Sequence, residues 1–419
     1  MNWICSPFVL CYYSFCIYII PCFQFYLYKL CCCIYLFKCC CLYDDSEFNE
    51  NALGEFFEKD KNNIIWKRCY DNKDCKFISN NVNPCDVIQG GVGNCWLISA
   101  ISCLAEFHGP IHNLFENRGI SVYGKYTVNL YNKSTNKWEK ITVDDKIPYS
   151  KSTNKPFFAQ SCENEIWVCI LEKAFAKFVG NYSMLKGGNV AWALQAMTGD
   201  NVFKFTQNLE TRTWTKQNII NISKDTKPSS LRFVNSNEKY DTNQMFEIFK
   251  EYDYHDSMLA AYIVNNNEWK KSNGIIAGHA YSILQVVEIY NFKLLQLRNP
   301  WGKFEWNGDW SDQSKLWKIH PYVTRNIKNE NKNDGVFWMN WHDFQSIFTD
   351  VDICHRSTGI HDLVLDIHEE CDLVGPIIGC TKGCFNFWCC CKGCKAIYYP
   401  TTSKKETLHI KKNSYCVLL

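Results

Sequence analysis

Cys95, His279 and Asn299 are the residues of this chain whose types and settings suit nucleophilic chemistry. Cys95 lies in Gln89-Gly90-Gly91-Val92-Gly93-Asn94-Cys95-Trp96, where a glycine-rich turn runs into an apolar stretch. Three glycines in four residues give the backbone room to take positive φ and turn sharply. The run from Cys95 to Ala105 reads as a buried helix. A cysteine in its first turn faces N–H groups without helical partners and the positive end of the dipole, both of which favour a thiolate. Gln89, six residues upstream, supplies an amide donor for an oxyanion. A thiolate needs a base, and the base needs an orienting group. Among ten histidines, only His279 has a suitable setting, the apolar strand Ile275-Ile276-Ala277-Gly278-His279-Ala280-Tyr281, with a glycine beside the ring. Twenty residues on, a strand ends at Arg298-Asn299-Pro300-Trp301, where Asn299 can fix the imidazole tautomer and Trp301 can shield that bond from water.

Cysteine, histidine and asparagine in this chain order form a papain-type arrangement. The longer motifs resemble the calpain family of cysteine proteases: the glycine-rich Cys-Trp helix, Gly278-His279-Ala280-Tyr281, Asn299-Pro300-Trp301-Gly302 through Asp312, and Asp334-Gly335-Val336-Phe337-Trp338-Met339. They occur in the family's order between about residues 60 and 355. The resemblance implies an α+β, papain-like core of two subdomains. A helical half carries Cys95, and an antiparallel, barrel-like β half carries His279 and Asn299. It further implies an intracellular endopeptidase that cuts extended segments of other proteins, with Gln89 and the Cys95 N–H as oxyanion hole. The alternatives are a catalytically weak scaffold on the same fold, and an acyl-transfer enzyme using the same three residues. The intact triad speaks against the first, and the Gln89-to-Trp96 motif against the second.

The resemblance also implies calcium. An acidic residue three before the glutamine contributes to a calcium site in the family's first half, and Asp86 fits that position, with Glu165 as its candidate second carboxylate. In the second half Glu305, Asp312 and Asp334 fit three carboxylate positions, and oxygen ligands are what a hard cation requires. Two departures weaken the expectation of strict calcium dependence: Val336 where the family often has an acid, and Asn94 where it usually has aspartate. No EF-hand loop is found, and the 64 residues after His355 are too few for the family's β-sandwich domain.

These elements divide the 419 residues into a hydrophobic segment 1–43, catalytic subdomains 44–200 and 201–355, and a tail 356–419. A net charge of +2 gives no reason to expect nucleic acid as a partner. Of the 26 cysteines, ten precede residue 42 and eight follow residue 370, so the ends need their own account. Residues 1–28 carry no charge, a run long enough to cross a bilayer, and Lys29 and Lys38 on its far side place the rest on the cytosolic face. In the tail, Cys380 to Cys394 interleave with aromatics, which suits acylation, with a zinc knuckle as alternative. Cys416-Val417-Leu418-Leu419 reads as a prenylation signal on Cys416, approached by Lys404, Lys405, Lys411 and Lys412. Membrane lipids are therefore expected partners. Along the core, Lys125–Tyr131 and Lys137–Val143 read as a hairpin, Glu163–Lys177 as an amphipathic helix, Met245–Tyr252 as a short helix, and residues 200–245 as a surface excursion.

Overall fold

The computed structural model describes residues 42–68, 74–79, 82–107, 109–117, 119–162, 164–220, 232–264, 269–270, 273–327 and 332–356. The expectations for the hydrophobic start, the cysteine-rich tail and Cys416 lie outside them. Among the described residues no helix is long and apolar enough to cross a membrane.

Helix α1 spans Cys95–Ala105, and every residue from Trp96 onward is buried. A helix that is apolar all round has to sit inside a protein. The hairpin β1 (Lys125–Asn132) and β2 (Lys137–Asp144) pairs from Lys125↔Asp144 to Asn132↔Lys137. Helix α2 spans Trp167–Val179. It begins later than the pattern indicated, and its polar face is not solvated: Glu172 and Lys173 are buried with the rest. Lys173 is held by the Asp144 carboxylate, the Lys146 carbonyl at 2.7 Å and the face of Trp66. Helix α3, Val190–Thr198, is capped by the Asn189 side chain and ends at Gly199 in the left-handed conformation.

Residues 200–245 differ from the expected excursion. They supply strands β3 (Asn201–Asn208), β4 (Thr213–Ile220) and β5 (Arg232–Tyr240). The polar composition of the last of them has a physical reason, since β5 is an edge strand whose described residues are half-buried or exposed. Helix α4 follows over Thr242–Tyr254. It starts earlier than its apolar residues indicate because Asp241 and Gln244 form a capping box. Then come β6 (Met258–Tyr262), β7 (Ala280–Ile289), β8 (Phe292–Arg298), β9 (Val336–Asn340) and β10 (Asp350–His355).

Eight strands form one antiparallel sheet in the order β9-β8-β7-β6-β10-β3-β4-β5. The chain is thus α+β, with a large antiparallel sheet in its second half. The alternation of a strand explains how one sheet serves two cores. Met258 and Ala260 of β6 and Cys354 of β10 join the cluster built around α1, α2 and α3. Their neighbours Leu259, Ala261, Val351 and Ile353 join a second cluster with Phe246 and Phe249 of α4. Val202 and Phe203 of β3 fall on opposite sides of the same division.

Candidate active site

Position comes first from the contact of α1 with the sheet. Ser99 Oγ donates to the Ala280 carbonyl and Ser282 Oγ donates to the Ser99 carbonyl, both at 3.0 Å. Cys103 Sγ donates to the Leu259 carbonyl at 3.2 Å. The helix that Cys95 begins is therefore stitched to the strand that follows His279.

The glycines before Cys95 act by proximity rather than handedness. None of the three takes a positive φ, contrary to the expectation. A Cβ on Gly90 would lie 1.7 Å from the Phe158 carbonyl oxygen, and Gly91 N–H donates to the Phe157 carbonyl at 2.8 Å. Only glycine lets those backbones approach so closely. Asn94 is the residue before the helix, yet its side chain makes no cap. Cys95 itself is half-buried and not in a disulfide.

His279 is 1 % exposed, and its Nε2 lies 2.9 Å from Asn299 Oδ1. The Asn299 amide is fixed by what its nitrogen does: Nδ2 donates to the carbonyls of Lys303 at 2.8 Å and Phe304 at 3.0 Å. The oxygen therefore faces the imidazole, and an oxygen only accepts. Nε2 must carry the hydrogen, which makes Nδ1 the basic nitrogen. Trp301 packs on the ring with centroids 4.9 Å apart, and its backbone N–H donates to the same Asn299 oxygen at 3.0 Å. Asn299 N–H donates to the Gly335 carbonyl at 2.8 Å. Gly335 has a φ of 86°, and a Cβ there would meet the Asn299 carbonyl oxygen at 2.7 Å, so the turn requires glycine.

Gln89 reaches this turn through its backbone, whose N–H donates to the Pro300 carbonyl at 2.9 Å. Its Nε2 donates to the Val92 carbonyl at 3.1 Å, which occupies one of two amide hydrogens. Arg298, which sequence reasoning passed over, fastens the same approach. Fully buried, it donates to Ser102 Oγ at 2.9 Å and to the Val87 carbonyl at 2.7 Å, and burial lowers its pKa. Its place beside Asn299 in an apolar strand was the available signal.

The acidic residues expected to bind calcium fall into two settings. Asp86 Oδ2 accepts from Asn83 N–H at 2.8 Å within a capping box. Glu165 is buried and saturated: Ser79 N–H and Oγ donate to one oxygen, Trp167 Nε1 and Ser161 Oγ to the other. Among the described residues no hydrogen bond joins the two carboxylates. Glu305, Asp312 and Asp334 lie near enough to feel one another's charge. Burial, then Glu305 and Asp334, push the Asp312 carboxyl up to about 7, and burial, with Asp334 adding, raises Glu305. Each already accepts a backbone N–H, Glu305 from Gly335, Asp312 from Lys332 and Asp334 from Val336. All-oxygen, mutually repelling donors suit a hard cation in kind. Among the described residues, however, no three acidic, histidine or cysteine side chains are gathered to hold an ion.

The sequence pattern of the calpain family of cysteine proteases matches residues 43–355. The chain is 36% identical over 283 residues to calpain-type cysteine protease ADL1 of Oryza sativa subsp. japonica, covering 67% of this chain and 12% of that protein. It is 27% identical over 366 residues to calpain-9 of Homo sapiens, covering 83% of this chain and 48% of the relative. With calpain clp-4 of Caenorhabditis elegans it shares 29% identity over 336 residues, 78% of this chain and 43% of the other. The chain thus spans less than half the length of these relatives.

Proposed function

Because the chain belongs to the calpain family of cysteine proteases, we propose that it is an endopeptidase performing limited, calcium-regulated proteolysis with Cys95 as nucleophile and His279 as base. The observation that carries this reading is the His279–Asn299 bond of 2.9 Å, buried under Trp301 next to a strand stitched to the Cys95 helix. His279 Nδ1 takes the Cys95 proton, and the thiolate attacks the substrate carbonyl carbon. The developing oxyanion is met by the Cys95 N–H and the second hydrogen of the Gln89 amide. His279 then protonates the amine as its C–N bond breaks, leaving a thioester on Cys95. Water deprotonated by the same nitrogen attacks that thioester, so that the C–S bond breaks and the acid product leaves. Asn299 keeps Nε2 protonated throughout. Substrates are proteins with extended segments that fit a cleft between helix and sheet.

Calcium, when bound, supplies positive charge that relieves the repulsion among Glu305, Asp312 and Asp334, the residues proposed to hold it. Attachment to the cytosolic face of a membrane belongs to the same proposal. It is supported by the charge-free run of residues 1–28 and the cysteines among aromatics from 380 to 394.

The test follows hydrolysis of an unstructured protein by the full chain and its Cys95→Ala variant while calcium is titrated against a chelator. Cleavage that requires Cys95 and rises with calcium is expected. Cys95-dependent cleavage indifferent to chelation removes calcium from the proposal, and no cleavage by the folded chain overturns the protease and favours a scaffold.

A further inference from the structure

Behind the nucleophile lies a buried carboxylate that the mechanism above does not use. Glu172 of α2 is 1 % exposed, and its Oε1 accepts from Asn94 Nδ2 at 2.7 Å, the residue directly before Cys95. Its Oε2 accepts from the Ala159 N–H at 2.9 Å, in the segment whose Phe157 carbonyl holds Gly91. One carboxylate thus ties together the two strands of chain that frame the glycine turn. Asn94 is fully buried as well, and its Oδ1 has no hydrogen-bond partner. The next residue, Lys173, is spent on Asp144 and gives Glu172 no counter-charge. Burial raises the Glu172 carboxyl to about 7 against the Ala159 and Asn94 hydrogen bonds, and the buried Cys169 thiol, one turn earlier, feels its charge.

We propose that Glu172 is a positioning residue for the nucleophile, holding the first turn of α1 through Asn94 and setting the charge that Cys95 faces from within the protein. The inference rests on Cys95 being the nucleophile. Ionised, Glu172 accepts from the Asn94 amide. When it takes up a proton, its O–H donates to Asn94 Oδ1 after that amide turns over, which satisfies the partnerless oxygen and removes a negative charge from behind the helix N-terminus. A thiolate at that terminus is then easier to form.

The full chain and its Glu172→Gln and Glu172→Ala variants separate the two roles. Alkylation of Cys95 by iodoacetamide, followed against pH by peptide mass spectrometry, reads the thiolate, and cleavage of an unstructured protein reads kcat and KM. In Glu172→Gln the side-chain oxygen still accepts from the Ala159 N–H, and the new NH2 donates to Asn94 Oδ1 once the Asn94 amide turns over. So kcat stays within about tenfold while the alkylation midpoint moves down by about one pH unit. Glu172→Ala loses both bonds, and kcat falls about 100-fold with KM little changed. If that variant fails to fold, the Glu172→Gln profile decides alone. Folded variants with the wild-type profile overturn the inference and leave the protease intact. A wild-type Cys95 that alkylates no faster than free cysteine overturns the nucleophile, and this inference with it.

Discussion

Asn299 shows how much of a site's geometry one side chain can fix. Its nitrogen is committed to two carbonyls and its oxygen to His279 and the Trp301 N–H, so the amide has no second orientation. Asn299→Ala removes the acceptor that keeps Nε2 protonated. The imidazole then samples both tautomers, and kcat is expected to fall about 100-fold with KM nearly unchanged, read in steady-state cleavage. An equal rise in KM would mean that the turn itself had collapsed. The pairing of His279 with Asn299 under Trp301 was legible in the sequence because motif spacing and residue type both point to it. Glu172 was not. It sits among the charges of a helix whose period reads as a solvated polar face, and only packing of that face against the glycine turn makes it interior. Likewise Glu165 has the residue type of a metal ligand, but four neutral donors occupy its oxygens.

At the scale of elements, the sequence told strands from helices wherever one face is buried and the other wet. It lost β5, where an edge leaves both faces polar, together with the inner strands β3 and β4 that lead to it. It also could not show that one sheet closes two cores, because that depends on α1 lying across β6 and β7. Arg298 belongs to this scale. From the end of β8 it donates to Val87, two residues before Gln89, and to Ser102 on α1, so three segments converge on one guanidinium. Arg298→Ala leaves a carbonyl and a hydroxyl without their donor inside the protein. A loss of about 2–3 kcal/mol in denaturant unfolding is expected, with a fall in kcat from displaced Gln89 and Asn299. A variant as stable as the wild type would show that water or repacking replaces the clamp.

The whole molecule carries the sum of its buried acids. Asp352 on β10, pushed up to about 7 by burial despite Lys204, accepts from the Ala191 N–H at 3.0 Å in the first turn of α3 and so joins the two halves. Glu172 and Asp312 are also raised to about 7. Each is protonated in the folded chain at a pH where the unfolded chain has released that proton. The folded state therefore binds more protons between about pH 4 and 7, and stability falls as pH rises through that window. The slope per group is at most about 1.4 kcal/mol per pH unit. Acids with lowered values, Asp44 and Glu247, act in the opposite sense, but only below their ordinary range. Urea midpoints are thus expected to decline from pH 5 to pH 8. Asp352→Asn keeps an acceptor for Ala191, carries no proton to lose, and should flatten the decline. If its profile runs parallel to that of the wild type, Asp352 is ionised across the whole range and its cost is compensated within the fold.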